Sequence, residues 1–246
     1  MTFRQSLLFF GGPGLAILIG LYVGVPIAVG FGIPLIIAWS VALWLPIVLL
    51  LALVLYRFRR VPLRALFGQR FRFRRLQRQE WLVVLAAFVL IQALELLLSS
   101  SGAYVWDHSF VSTPSIVPAL FDPRSDIGQG FSTFFGVPVE GNWWLIAFWL
   151  GWLVINIGGE EVLWRGYALP LQERYFGRFA WIMNGLCWNL LVHAFMYWNF
   201  LTLLPISLAI PYLVQRYKNT WIGVYIHGAG NLLVLAVLVP SIAGWL

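Results

Sequence analysis

The chain has 246 residues, of which 61% are hydrophobic and only 10% are charged. Soluble domains carry about 25% charged residues, so this composition excludes a soluble globular protein and favours the bilayer as solvent. The formal net charge of +7 does not indicate nucleic-acid binding, because nine arginines lie between Arg57 and Arg78 beside apolar runs. Such a cluster is typical of a topology signal and of a contact with anionic lipid headgroups.

Residues 1–98 predict three membrane spans and one basic loop. Residues 7–56 contain no charged residue, and this run is more than twice as long as the ~20 residues that cross a bilayer once. The predicted spans lie at about 12–33, 36–56 and 81–98. The first is expected to be an uncleaved anchor. The basic loop, 57–79, separates the second span from the third.

Residues 99–141 predict a long external loop, because Ser, Gly, Asp and Pro replace the apolar run. The remaining residues, 142–246, predict four further spans, at about 142–169, 179–197, 201–214 and 220–239. Seven spans place 15 of the 16 basic residues on one side, so the positive-inside rule predicts a cytoplasmic N-terminus and a cytoplasmic loop 57–79. The predicted fold is all-α, a polytopic transmembrane helical bundle in the cell membrane.

Three charged residues, Glu160, Glu161 and Arg165, stand within the fourth predicted span. Ionisable groups inside membrane helices are energetically costly and indicate function by default. Glu161 and Arg165 are four residues apart and share a helix face, so they can neutralise each other as supporting residues. Glu160 points about 100° away and needs another partner, either a proton or a histidine on a neighbouring helix, which leaves it available for acid–base chemistry. The alternative is a cytoplasmic helix end with solvated charges.

Two histidines and an asparagine are predicted at membrane depth in later spans. His193 lies in the fifth span, and a lone histidine on an apolar face is more often a packed core residue than a functional one. His227 and Asn231 are four residues apart on the last span and share a face. Their alternative role is an interhelical hydrogen bond. The three polar segments together indicate a site more strongly than any one of them.

These side chains suit hydrolysis of a peptide bond. Glu160 and His193 around one water would form a general base that generates a nucleophile. His227 and Asn231 would stabilise the developing oxyanion. Alternatively, Glu160, His193 and His227 could hold a Zn²⁺ ion with water in the open position. No cofactor is favoured, because a His-Glu-x-x-His pattern is missing and the ligands would come from three separate helices.

The three polar segments resemble the motifs of the CPBP family of CAAX proteases and bacteriocin-processing, Abi-type enzymes. The first motif is similar to Glu160-Glu161-x-x-x-Arg165 followed by Gly166-Tyr167-x-Leu169, the second to His193, and the third to His227-x-x-x-Asn231. The resemblance covers about residues 142–240. One position departs from the pattern, because the family has Phe four residues before its second-motif histidine and this chain has Asn189, beside Trp188.

The resemblance implies an intramembrane endopeptidase whose catalytic cavity opens toward the cytoplasmic leaflet. It implies that Glu160 and His193 activate water and that His227 and Asn231 form the oxyanion site. Glu161 and Arg165 would support them. The family has been discussed as both metal-dependent and glutamate-type, so the resemblance leaves the metal open.

The expected partners are a peptide or protein substrate, which the sequence does not identify, and anionic headgroups at Arg57–Arg78. A non-catalytic membrane scaffold or immunity protein that retains the protease fold is the alternative function. Retention of all four polar residues argues against it. A transporter function fits the sequence less well, because the internal repeat that is typical of many transporters is not evident. Glu95, in the third predicted span, is a further intramembrane acid that could face the cavity or the outer interface.

Overall fold

The computed structural model describes all 246 residues and shows a bundle of helices. The helices are α1 Phe3–Gly30, α2 Leu35–Arg57, α3 63–70, α4 Arg78–His108, α5 144–176, α6 180–192, α7 Leu204–Tyr217, α8 Trp221–Leu232 and α9 Leu235–Ile242. Short 3₁₀ turns lie at Ala119–Phe121, Ile127–Gln129, Gly177–Phe179 and Ala194–Asn199. The prediction of an all-α membrane bundle is confirmed.

Five stretches are long and apolar enough to cross a membrane. They are α1, α2, α4, the stretch Trp144–Val192 that contains α5 and α6, and the stretch Trp221–Ile242 that contains α8 and α9. The stretch Trp144–Val192 reverses at Gly177, whose φ of 54° favours glycine, and α6 packs back against the end of α5. The number of spans and the orientation of the N-terminus stay predictions.

Two helix ends differ from the sequence prediction for local reasons. Helix α1 begins at Phe3 rather than near residue 12, because Thr2 and Gln5 form a capping box, with Gln5 N donating to Thr2 Oγ1 at 3.3 Å. Helix α4 continues to His108, beyond the predicted end at 98. Its serines bond to their own helix, with Ser99 Oγ donating to Leu96 O at 2.7 Å, so this polar segment stays helical.

Several basic segments meet at one end of the bundle, here called the basic end: residues 1–4, 57–79, 170–178 and 215–220. Arg72 donates to both oxygens of Glu173, at 2.7 and 2.9 Å, and Lys218 Nζ donates to Glu173 Oε2 at 2.7 Å. Arg74 donates to the carbonyl of Tyr217 at 2.9 Å. The N-terminal amine of Met1 donates to Leu171 O. The segments that the charge bias assigns to one side of the membrane are therefore in contact.

The opposite end is covered by residues 109–143. Two short antiparallel strands, β1 Thr133–Phe134 and β2 Val137–Pro138, pair Thr133 with Pro138 and Phe134 with Val137. The connecting Phe135 and Gly136 have φ of 49° and 77°, as a two-residue hairpin turn requires. The Phe135 ring is buried and lies 4.9 Å from the ring of Trp152, centroid to centroid. This predicted loop is thus anchored by aromatic side chains in the core.

Candidate active site

A cavity of about 270 Å³ lies inside the bundle, lined by residues of α4, α5, α6 and α8 and by segments between helices. Four polar side chains that the sequence singles out line it: Glu160, His193, His227 and Asn231. They come from segments separated by up to 71 positions in the chain, and only tertiary packing brings them together. The predicted residues therefore share one cavity, while their individual catalytic roles stay predictions.

Glu160 is 3% exposed and has one protein partner. Its Oε2 accepts a hydrogen bond from the indole Nε1 of Trp188 at 2.7 Å. The partner predicted for Glu160 was a proton or a histidine on a neighbouring helix. The structure shows the indole of Trp188 in that position instead. A charge-assisted hydrogen bond of this kind fixes the carboxylate and compensates part of its burial. The other oxygen, Oε1, accepts no hydrogen bond from the protein.

Glu161 lies behind the cavity in a buried charged cluster. Its Oε1 is 3.3 Å from Arg165 Nη1 and 3.1 Å from His227 Nδ1, and the side chains of Glu161 and Arg165 are both 0% exposed. The ion pair neutralises two charges that neither water nor lipid could stabilise there. A hydrogen bond from Nδ1 to Glu161 orients the imidazole and leaves its Nε2 for the cavity.

The carboxylate of Glu161 fits only because α8 carries a glycine opposite it. A Cβ at Gly223 would lie 2.2 Å from Glu161 Oε2 and 3.0 Å from Ile210 Cγ2. Both distances are shorter than van der Waals contact. Any larger residue at position 223 would therefore displace the carboxylate that holds Arg165 and His227.

Arg165 is fully buried, and none of its guanidinium nitrogens makes a hydrogen bond. Its Cζ lies 4.1 Å from the ring centroid of Trp188. This cation–π contact and the Glu161 carboxylate both stabilise the buried guanidinium charge. The same indole thus contacts both Arg165 and Glu160.

The helical turn before His193 explains the departure of this chain from the CPBP pattern. Residues Trp188–Val192 form a π-helical turn, so the His193 amide donates to the carbonyl of Trp188, five residues earlier, at 3.2 Å. His193 Nδ1 lies 3.1 Å from the same carbonyl, and the two rings are 4.8 Å apart. Asn189 points instead toward α7, and its Nδ2 donates to Phe200 O at 3.0 Å. The aromatic neighbour of His193 is therefore Trp188.

Sequence reasoning missed two polar residues in the cavity wall, Gln92 and Asn156, and left the direction of a third, Glu95, open. Gln92 and Glu95 line the cavity from α4, and Gln92 Nε2 donates to Glu95 Oε2 at 2.7 Å. Glu95 thus faces the cavity, which was one of its two predicted positions. Asn156 lines the cavity one turn before Glu160, and its buried Oδ1 has no partner. The four-residue spacing of Asn156 and Glu160 was the only signal for it in the sequence.

The predicted metal ligands do not form a compact cluster in this structure. No group of three or more His, Cys, Asp or Glu side chains comes close enough together to hold an ion. Glu160, His193 and His227, the predicted alternative ligands, each bind a protein partner with one polar atom, respectively Trp188 Nε1, Trp188 O and Glu161 Oε1, and keep a second donor atom free. The metal-bound alternative therefore stays a prediction.

The cavity extends from Glu160 away from the basic end. Its far wall includes Leu120 and Phe121 from the segment 109–143, and Trp149 and Trp152 from α5. The opening toward the cytoplasmic leaflet, which the resemblance implies, stays a prediction. A larger groove, of about 910 Å³, lies at the basic end between α3, α5 and α8 and contains none of the predicted catalytic side chains.

Comparison with known proteins adds one finding. Residues 142–233 match the family model described as Rce1-like, type II CAAX prenyl endopeptidase. This segment contains the six residues that the sequence assigns to the site: Glu160, Glu161, Arg165, His193, His227 and Asn231. No curated protein and no solved structure matches the chain significantly.

Proposed function

We propose that this chain, whose residues 142–233 match the model of the Rce1-like type II CAAX prenyl endopeptidases, hydrolyses a peptide bond inside the cell membrane. The observation that carries the proposal is the convergence of Glu160, His193, His227 and Asn231 on one cavity in the bundle. An apolar bundle with five potential spans supports a location in the membrane.

Glu160 and His193 are proposed to activate the water. Glu160 Oε1 is free of protein partners, because only Oε2 is held by Trp188. With Nδ1–H of His193 donating to the carbonyl of Trp188, its Nε2 is a free acceptor. A water molecule between these two acceptors gives a proton to Glu160. At the same time the water oxygen attacks the carbonyl carbon of the substrate's scissile peptide bond. The same proton then passes to the leaving amine as the C–N bond breaks.

His227 and Asn231 are proposed to bind the oxyanion. His227 Nδ1 lies 3.1 Å from the Glu161 carboxylate, which leaves Nε2 for the oxyanion, and an imidazole that carries both protons can donate Nε2–H to the negative oxygen. Asn231 Nδ2 uses one hydrogen for the His227 carbonyl, at 3.1 Å, and keeps the second for the oxyanion. Glu161 and Arg165 act through His227 as positioning residues.

Cleavage assays in liposomes test the proposal. A prenylated peptide with a CAAX terminus, as the family description suggests, and unmodified membrane peptides serve as substrates. Glu160→Gln and His227→Ala should each lower the rate by roughly 10²-fold or more, since each removes a group needed in the transition state. Glu140→Gln, a change at an exposed carboxylate outside the cavity, is the matched control.

The outcomes of these assays distinguish metal-free catalysis, metal-dependent catalysis and a non-catalytic scaffold. Loss of activity in both variants, with resistance of the parent to a chelator, supports metal-free catalysis, whereas sensitivity to the chelator would contradict it. Equal activity in parent and variants would remove the protease proposal and leave the non-catalytic scaffold.

The arginine-rich segment is proposed to contact anionic lipid headgroups. Arg64 lines the groove of about 910 Å³ at the basic end together with the apolar Phe67 and Trp221. A cation beside apolar side chains at the edge of a membrane bundle suits a phospholipid, whose headgroup and chain need both.

A further inference from the structure

We infer that Glu95, held by Gln92, binds a lysine or arginine side chain of the substrate next to the scissile bond. The inference rests on the proposed proteolysis and names the substrate class of the same cavity. Both residues lie on α4, outside the segment that matches the protease family. The family likeness therefore does not assign them a role.

The first argument is the fixed position of the carboxylate. Gln92 Nε2 donates to Glu95 Oε2 at 2.7 Å, while Glu95 Oε1 accepts no hydrogen bond from the protein. Both side chains are part of the cavity wall. One oxygen of Glu95 is thus held in place, and the other is available to a ligand.

The second argument is the distance to the reacting groups. A Cβ built on Gly230 would lie 3.8 Å from Gln92 Nε2, and Gly230 stands between His227 and Asn231 on α8. Gln92 therefore packs beside the residues that are proposed to bind the oxyanion. A substrate group that reaches Glu95 belongs to a residue adjacent to the cleaved bond.

The third argument is the charge of the cavity. Its lining includes two carboxylates, Glu95 and Glu160, and two imidazoles, but no lysine or arginine. The buried arginine of the site, Arg165, pairs with Glu161 behind the wall. A carboxylate at membrane depth is expensive without a counter-charge, and a cationic substrate side chain supplies one.

Asn156 strengthens the case for a donor-rich ligand. Its Oδ1 is buried in the cavity wall without a hydrogen-bond donor from the protein. An ammonium or guanidinium group has several N–H donors and can satisfy Glu95 Oε1 and a second acceptor together. An apolar substrate side chain would leave both acceptors unpaired, which binding sites penalise strongly.

The experiment compares peptides that differ only in charge. Pairs with arginine or citrulline, and with lysine or norleucine, are placed on either side of the scissile bond. For the parent protein we expect kcat/KM to be at least about tenfold higher with the charged member. Glu95→Gln should bring this ratio close to 1, and the control Glu140→Gln should leave it unchanged.

A second variant covers the case in which Glu95→Gln folds poorly. Glu95→Lys reverses the charge and should favour a peptide with glutamate over one with glutamine at the same position. A ratio near 1 in the parent, as a protonated Glu95 would give, overturns the inference. So does an unchanged ratio in folded Glu95→Gln.

Binding measurements separate this inference from the proposed function. The affinities of the arginine and citrulline peptides are measured with Glu160→Gln, which prevents turnover. A preference for arginine in binding without any cleavage by the parent contradicts the protease proposal and supports the cation subsite. Cleavage by the parent without discrimination contradicts the subsite alone.

Discussion

At the scale of single residues, Trp188 organises the site. Its indole N–H donates to Glu160, its ring faces Arg165 at 4.1 Å, and its carbonyl lies 3.1 Å from His193 Nδ1. The ring centroid is also 5.2 Å from that of His227. One side chain thus contacts an acid, a cation and two imidazoles, and so fixes their relative positions.

Trp188→Phe tests the indole hydrogen bond separately from the ring. Phenylalanine keeps an aromatic face for Arg165 but removes the donor to Glu160. A hydrogen bond to a charged group contributes about 1.5–3 kcal/mol, so we expect kcat to fall roughly tenfold or more while the protein stays folded. Trp144→Phe, at an exposed indole outside the cavity, should keep parental activity, and equal kinetics for both variants would contradict this role.

At the scale of helices, glycines set the close approaches that shape the site. Gly14 of α1 packs on the π-helical turn of α6, where a Cβ would lie 2.0 Å from the carbonyl oxygen of Leu191. Asn184 joins α6 to α5 through a hydrogen bond from its Nδ2 to Trp164 O, at 2.9 Å. The turn that places Trp188 and His193 is therefore held by two neighbouring helices.

Gly14→Ala should push α1 away from this turn. The obstacle is backbone, which cannot rotate aside, so we expect a loss of about 1–3 kcal/mol in stability together with lower activity. The matched control is Gly12→Ala in the same helix, where a Cβ would meet nothing within 4 Å. Thermal unfolding and cleavage rates of the two variants check the prediction. An equal midpoint for both would show that α1 does not support the site.

The sequence predicted the features of these helices that depend on local pattern. Long apolar runs indicate membrane helices, and the four-residue spacing predicts that Glu161 and Arg165 can pair, as they do at 3.3 Å. The π-helical turn before His193 depends on tertiary packing against α1 and α7, so the role of Trp188 was not visible. The face of α4 that meets the cavity is set by the same packing, which left the direction of Glu95 open.

At the scale of the whole molecule, charge separates the two ends of the bundle. The basic end contains Arg72 and Lys218, both bound to Glu173. The segment 109–143, in contrast, contains a single basic residue, Arg124. By the positive-inside rule, we predict that the basic end is cytoplasmic and that the segment 109–143 is external.

Cysteine labelling tests this topology. The only native thiol, Cys187, is buried, so Cys187→Ser gives a background without cysteine. A maleimide that does not cross membranes should label Gln129→Cys in intact cells, and Gln69→Cys only after permeabilisation. Both positions are exposed in the structure. The reverse pattern would contradict the predicted orientation.

Leu120 and Phe121 form an apolar cover at the far wall of the cavity. This cover bears on how water enters the cavity as well as on the shape of the cavity. In the proposed reaction, each hydrolysis consumes one solvent molecule, and a replacement must reach a chamber enclosed by hydrocarbon before the next substrate can react. We therefore expect refilling to be a separate step of that reaction cycle, and we expect the segment 109–143 to limit solvent entry on that side.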